Sequence, residues 1–243
     1  MTVVSSGPLT FSKLLRTLAT GSINLDSPLN RYSRDESLVL RPPLLRNTRL
    51  WILRAIAESP VAIYFDFELP PNAHMPFLIQ ADVQAILPPL GFDLQWRARG
   101  PASQEVWSDL AFVSFRGQCD IGLAALGRFQ IGALGSVQAI NGEVQPFVEI
   151  DCSRIGALLE TQLPLLRAQT PERLFARAVA RVVAHELYHV FVKTKIHDNS
   201  GVGKPEFTAS DLLSNHFEFS KDQTRALRDK SVEAARLFYG QRR

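Results

Sequence analysis

The stretch that decides the fold is Leu174-Phe-Ala-Arg-Ala-Val-Ala-Arg-Val-Val-Ala-His-Glu-Leu-Tyr-His-Val-Phe-Val192. Its apolar residues recur every three or four positions, which is the spacing of one face of an α-helix. Just before it, Thr170 can cap a helix, Pro171 suits the first helical position, and Glu172 lies at the positive end of the helix dipole. The pattern therefore predicts one long helix that continues to about Thr194.

Two histidines and a glutamate on this helix have the spacing of a zinc site. His185 and His189 are four residues apart, so they lie on the same helix face, one turn from each other. Two imidazole nitrogens in that arrangement can bind one Zn²⁺ at ~2.0–2.1 Å. Glu186 lies beside them and can reach a zinc-bound water, from which a carboxylate removes a proton during attack on a carbonyl. The motif predicts a zinc-dependent hydrolase.

The third zinc ligand must come from elsewhere in the chain, because a catalytic zinc normally has three protein ligands and one open position. His197 is the favoured residue, since the turn-forming segment 198–203 that follows it lets the chain fold back under the metal. A carboxylate from a following helix is the other common arrangement, and Asp211 or Glu218 would supply it. The full set of alternatives is Glu206, Asp211, His216 and Glu218.

The residues before the long helix predict a sheet with parallel strands at its start. Segments 61–67 and 93–97 have the composition and alternation of strands, and segment 76–87 between them predicts a helix. Strand, helix and strand within so short a stretch indicate a βαβ unit with parallel strands. Segment 110–116 predicts a further strand.

An Asn-Gly turn adds an antiparallel edge to this sheet. Segments 133–140 and 143–150 flank Asn141-Gly142, and both central residues of such a hairpin turn need a positive φ. Further helices are predicted at 43–58, 153–166 and 220–238. The expected fold class is therefore α+β, with a mixed sheet, an active-site helix and a helical C-terminal part.

Composition excludes several classes of protein. The formal net charge is only +3, and no basic patch is interleaved with aromatic residues, so no nucleic-acid partner is expected. No apolar run reaches the ~18 residues of a membrane span. The N-terminus does not have the pattern of a signal peptide, which makes a cytoplasmic location the default and leaves export open. The sequence does not determine the oligomeric state.

The two cysteines are not arranged as a metal or redox motif. Cys119 and Cys152 lie far apart in the sequence, so a Cys-x-x-Cys site is excluded. Two buried thiols is the favoured interpretation. A single disulfide is the alternative, if the strands that hold them are neighbours.

With this motif and order of elements, the sequence resembles the zincin superfamily, and within it the metzincin-like branch. The string from His185 through His197 to Ser200-Gly201 is similar to a group of uncharacterised bacterial predicted zinc metalloproteases with a long spacing before the third histidine. The usual metzincin pattern has glycine and the third histidine where this chain has Val192 and Lys195. It also has a downstream methionine, whereas Met1 and Met75 are the only methionines here.

The resemblance implies a zinc metallopeptidase in which His185, His189 and His197 bind Zn²⁺ and Glu186 is the general base. A peptide or protein substrate would bind along an edge strand, for which the hairpin at Asn141-Gly142 is the natural candidate. Residues 1–45 are expected to form an irregular arm or tail. Residues 46–243 would form a single zincin-like domain, with its helical C-terminal part at about 205–243. The alternative is a catalytically inactive zincin-fold protein that serves as a metal-stabilised binding module.

Overall fold

The computed structural model describes residues 59–100, 107–120, 132–160 and 170–240. The predicted arm at 1–45 and the predicted helix at 43–58 lie outside these ranges. The end of the predicted helix at 153–166 also lies outside them.

A five-stranded mixed sheet forms the centre of the described chain. Its strands have the order β2-β1-β3-β5-β4, and all neighbours are parallel except β4 and β5. The sheet is therefore parallel at its start and antiparallel at one edge, as the sequence predicts. The strands are β1 (Ser59–Phe67), β2 (Phe92–Ala98), β3 (Asp109–Arg116), β4 (Gly135–Ile140) and β5 (Glu143–Asp151).

The predicted βαβ unit is confirmed. Helix α1 (Met75–Ile86) connects β1 to β2, and these two strands pair in parallel, with Ser59 opposite Phe92. In β2, the alternate residues Phe92 and Leu94 are buried, which is the two-residue period that the sequence shows there. In β1, Val61, Ala62 and Ile63 are consecutive and all fully buried, as expected of the buried strand predicted at 61–67.

The Asn-Gly hairpin is also confirmed. Asn141 has φ 52° and Gly142 has φ 90°, so both adopt the left-handed conformation that a tight two-residue hairpin needs. The hairpin joins β4 to β5 and makes β4 the outermost strand of the sheet. Consequently, one edge of β4 has no partner strand among the described residues.

The helix that the central stretch predicts is α3 (Pro171–Val192), and it is buried along almost its whole length. The Thr170 hydroxyl accepts a hydrogen bond from the Arg173 amide at 3.3 Å, which caps its first turn. It ends at Lys193, whose φ of 56° breaks the helix just before the predicted Thr194. The sheet, α1 and the C-terminal elements all pack against α3, which explains why it has apolar residues on every side.

Three shorter or more peripheral helices complete the described chain: α2 (Cys152–Leu159), α4 (Ala209–Leu213) and α5 (Lys221–Gly240). At the start of α5, Ser220 and Gln223 exchange side-chain-to-backbone hydrogen bonds of 3.3 Å, the capping box that the sequence suggests. The fold class is thus α+β, with a helical C-terminal part. Among the described residues, no helix is long and apolar enough to cross a membrane.

The two cysteines form a disulfide, so the prediction of two free thiols is wrong. Strands β3 and β5 are neighbours, and Arg116 on β3 is opposite Asp151 on β5. Cys119 and Cys152 follow these two residues, and their Cα atoms are 5.0 Å apart. Both residues are fully buried.

Replacing both cysteines by alanine should destabilise the protein. The bond closes a loop with a sequence separation of 33, for which chain entropy gives about 3.7 kcal/mol of unfolding free energy. Denaturant unfolding of the oxidised wild type and of the Cys119→Ala/Cys152→Ala variant measures this difference. Two alkylatable thiols in the unreduced, unfolded wild type would refute the assignment.

Candidate metal centre

The C-terminal half of α3 brings His185 and His189 together in an open cleft. Only 5% and 3% of their surfaces are exposed. Their rings lie one turn apart on the helix, and the two Nε2 atoms are 3.0 Å from each other. The helix therefore directs two ring nitrogens to one point, as the four-residue spacing predicts.

Backbone carbonyls fix the proton positions on both rings. His185 Nδ1 lies 2.6 Å from the Val202 oxygen, and His189 Nδ1 lies 2.8 Å from the Thr194 oxygen. A carbonyl oxygen only accepts hydrogen bonds, so each Nδ1 must carry a hydrogen. In the neutral rings, both Nε2 atoms are then unprotonated, and two lone pairs face each other. A cation between them removes that repulsion. Histidines that bind a metal are commonly oriented in this way, by a hydrogen bond from the ring nitrogen that does not face the metal.

Burial prevents a proton from serving as that cation at neutral pH. Burial lowers the pKa of His185 from 6.5 to about 4, although the hydrogen bond to Val202 opposes this effect. Burial also lowers the pKa of His189. Both rings are therefore neutral near pH 7, and their converging lone pairs suit a metal ion such as Zn²⁺.

His197 completes a group of three histidines. Its ring stacks on that of His185 at 5.2 Å and meets the ring of His189 edge-on at 4.7 Å. One ligand atom from each of the three residues lies within 4.8 Å of the others. The chain returns to the site because the segment after His197 folds back, with the Asp198 amide donating to the Gly203 oxygen at 2.7 Å.

Two of the alternative ligands, Asp211 and Glu218, do not line the cleft that holds the three histidines. Asp211 accepts hydrogen bonds from the Lys204 ammonium at 2.8 Å and from the Thr208 backbone and hydroxyl, which caps α4. Glu218 has an exposed side chain, and its backbone oxygen accepts from the Val202 amide at 3.0 Å. Within the described ranges, the three histidines are the only group of three or more His, Cys, Asp or Glu side chains that meets the geometry of a metal site.

Glu186 lies at the wall of the same cleft, and only 5% of its surface is exposed. Burial raises the pKa of its carboxyl from 4.5 to about 8. A nearby divalent cation favours the ionised form and opposes that effect. The arrangement thus supplies a carboxylate of raised basicity next to three possible ligands.

The cleft has a volume of about 650 Å³ and runs between α3 and the start of β4. One wall is segment 134–137, which leads into β4, so the first strand of the predicted hairpin begins beside the three histidines. Glu206, which the sequence offers as a ligand, also lines the cleft without joining the histidine group. The apolar lining residues include Leu134, Val137, Leu158, Val182 and Phe207.

The groups that orient the histidines cannot be recognised from the sequence. The carbonyls of Thr194 and Val202 are backbone groups, for which a sequence has no residue-type signal. Phe207 was missed as well, although its ring meets that of His185 edge-on at 5.2 Å. The one indication of Phe207 in the sequence is that an aromatic residue follows soon after the turn-forming segment 198–203.

The sequence has no match among known protein families or curated proteins, whereas the structure does have matches among solved structures. A similar solved structure is the crystal structure of archaemetzincin from Methanopyrus kandleri, with 12% sequence identity and a TM-score of 0.42. The match covers 72% of this chain and 96% of that one. At that level of similarity, the chemistry must be argued from the histidines and Glu186 themselves.

Replacing His197 should weaken zinc binding much more than replacing Asp211. We expect His197→Ala to lose more affinity than the ~10- to 100-fold typical of removing a group that only supports a ligand. Asp211→Asn should lower the stability of α4 and leave the zinc affinity unchanged. Competition with a chelator of known affinity measures both. The opposite ranking would identify Asp211 as the ligand.

Burial of Glu186 should make the metal-free protein less stable as pH rises. The carboxyl binds its proton more tightly in the folded state, so stability is greatest below the unfolded pKa of 4.5 and falls as pH rises towards about 8. Relative to Glu186→Gln, the wild type should lose on the order of 4 kcal/mol between about pH 5 and about pH 9. Denaturant unfolding of the chelator-treated proteins tests this, and parallel pH curves would contradict it.

Proposed function

We propose that this chain is a zinc-dependent metallopeptidase. The observation that supports this most is the convergence of His185 and His189 Nε2 at 3.0 Å, with His197 and Glu186 beside them in one open cleft. Neutral rings that point their lone pairs at each other suit a bound cation, and the adjacent carboxylate suits a general base. Peptide-bond hydrolysis is the reaction that uses both.

The three histidines would hold the metal and leave one position open towards the cleft. Zinc bound there would act as a Lewis acid and make water acidic enough to lose a proton near neutral pH. The carbonyls of Val202 and Thr194 would keep the ligand rings in the required tautomer. No further ligand is needed from Asp211 or Glu218.

Glu186 would transfer the proton. Its carboxylate accepts the proton from the water as the new carbon–oxygen bond forms at the substrate carbonyl. The same group then donates that proton to the leaving amide nitrogen as the carbon–nitrogen bond breaks, so the carboxylate is regenerated. A buried carboxyl is suited to both steps because its pKa is closer to neutral pH than that of an exposed one.

Strand β4 would bind the substrate. Its outer edge has no partner strand among the described residues, and residues 134–137 at its beginning line the cleft. An extended peptide can pair with such an edge through backbone hydrogen bonds. The apolar side chains of Leu158 and Phe207 would then contact side chains of the substrate. The partner is thus a peptide or protein.

The second candidate function is a catalytically inactive protein of zincin type that binds a partner through a metal-stabilised site. The feature that favours it is the lack of any methionine after His189, where metzincin-like peptidases have one. Metal binding is common to both candidates, so only hydrolysis distinguishes them.

Replacing Glu186 by glutamine should abolish hydrolysis while zinc remains bound. We expect kcat/KM on a cleaved peptide to fall by ~10²- to 10⁴-fold, because general base catalysis is lost. Glu160→Gln, an exposed carboxylate outside the cleft, is the matched control and should keep wild-type activity.

Two results would overturn the proposal. Wild-type protein with one zinc per chain that cleaves nothing in a diverse peptide library would support the binding module. A zinc content near zero after supplementation would exclude both candidates.

A further inference from the structure

Within the described ranges, no polar group holds the carboxylate of Glu186. The described residues give it neither a hydrogen bond nor an ion pair, and burial is the only cause of its raised pKa. A glutamate side chain has three rotatable bonds, so without a polar anchor its position must come from packing. The residues packed against it therefore determine where the general base lies.

Gly135, the first residue of β4, is packed directly against this side chain. A Cβ atom built on Gly135 would lie 2.7 Å from Glu186 Oε1 and 3.0 Å from Glu186 Cγ. It would also lie 2.8 Å from Cγ1 of Val182, one helical turn earlier on α3. Carbon and oxygen atoms do not approach so closely, so any side chain at this position would displace the carboxylate, the valine or the strand.

Space, and not backbone conformation, is the reason for a glycine here. The glycines with a positive φ among the described residues are Gly91, Gly117, Gly142 and Gly201. Gly135 is not one of them, and its strand conformation is open to any residue. Gly135 differs from other strand positions because α3 lies so close to it. The lack of a side chain at Gly135 leaves room for Glu186.

We propose that Gly135 is a positioning residue for Glu186, an inference that rests on the proposed peptidase function. The bare backbone of β4 forms the surface against which the carboxylate rests, beside the three histidines. Because the substrate would pair with the same strand, Gly135 also sets the distance between the bound peptide and its general base. Hydrolysis depends steeply on that distance, since a misplacement of about 1 Å can cost ~10²-fold in rate.

The Gly135→Ala variant tests the proposal. We expect kcat to fall at least ~10-fold, with KM and zinc affinity unchanged, because the flexible end of Glu186 moves more easily than the strand does. A crystal structure of the metal-free variant should show a displaced carboxylate and an unmoved β4 backbone. Gly100→Ala is the matched control, since its new methyl group would meet no atom closer than 3.8 Å.

A double-mutant cycle separates positioning from a general effect on packing. Glu186→Asp shortens the side chain by one methylene and makes room for the methyl group that Gly135→Ala introduces. The cost of Gly135→Ala in kcat should therefore be smaller in the Glu186→Asp background than in the wild type. Equal costs in both backgrounds would overturn the proposal.

A second variant keeps the test valid if Gly135→Ala folds poorly. Adding Val182→Ala removes the other close contact, so Gly135→Ala/Val182→Ala should fold and still show a reduced kcat relative to Val182→Ala alone. A kcat equal to that of Val182→Ala would overturn the inference.

Different results would refute the role of Gly135 and the proposed peptidase function. An active wild type with an equally active Gly135→Ala variant refutes only the role of Gly135. A zinc-loaded wild type that cleaves no peptide refutes the peptidase, and with it the positioning role that depends on hydrolysis. The crystal structure of the metal-free variant reports the contact itself in either case.

Discussion

The hydrogen bond between His185 Nδ1 and the Val202 oxygen, 2.6 Å long, is the interaction on which the site depends. It fixes the tautomer of the ring and directs Nε2 towards His189. It also joins α3, which lies against the sheet, to the segment that returns after His197. That segment is held in turn by the Val202 amide, which donates to the Glu218 oxygen at 3.0 Å. The position of one ligand thus depends on residues far along the chain.

The C-terminal part acts as a frame for this returning segment. Arg181, buried on α3, donates hydrogen bonds to the oxygens of Leu212 and Ser214, each at 2.7 Å, and so secures the end of α4. Its guanidinium also lies 4.6 Å from the centre of the Phe217 ring. These contacts fix the chain just before Glu218, whose backbone oxygen accepts the hydrogen bond from the Val202 amide. Packing and hydrogen bonds to backbone oxygens therefore support the segment that carries Val202.

Local signals explain which parts of the structure the sequence predicts. The apolar spacing and the Thr170 cap determine α3, and Asn141-Gly142 determines the hairpin, because each signal acts over a few residues. The pairing of Cys119 with Cys152 is only the less favoured alternative from the sequence, because it depends on the order of strands in the sheet. The carbonyls that orient the histidines were missed for a similar reason. They are backbone groups, and the fold places them rather than their residue type.

Burial connects the stability of this site to its chemistry. Removing Glu186 from water without a polar partner opposes its ionised form, and the same burial keeps His185 and His189 neutral with facing lone pairs. Each of these effects costs folding free energy in the metal-free protein. A dication held by these histidines would relieve all of them, because it would accept the histidine lone pairs and favour the carboxylate. Groups that lower stability in this way are typical of functional sites, where the same desolvation strengthens charge interactions during a reaction.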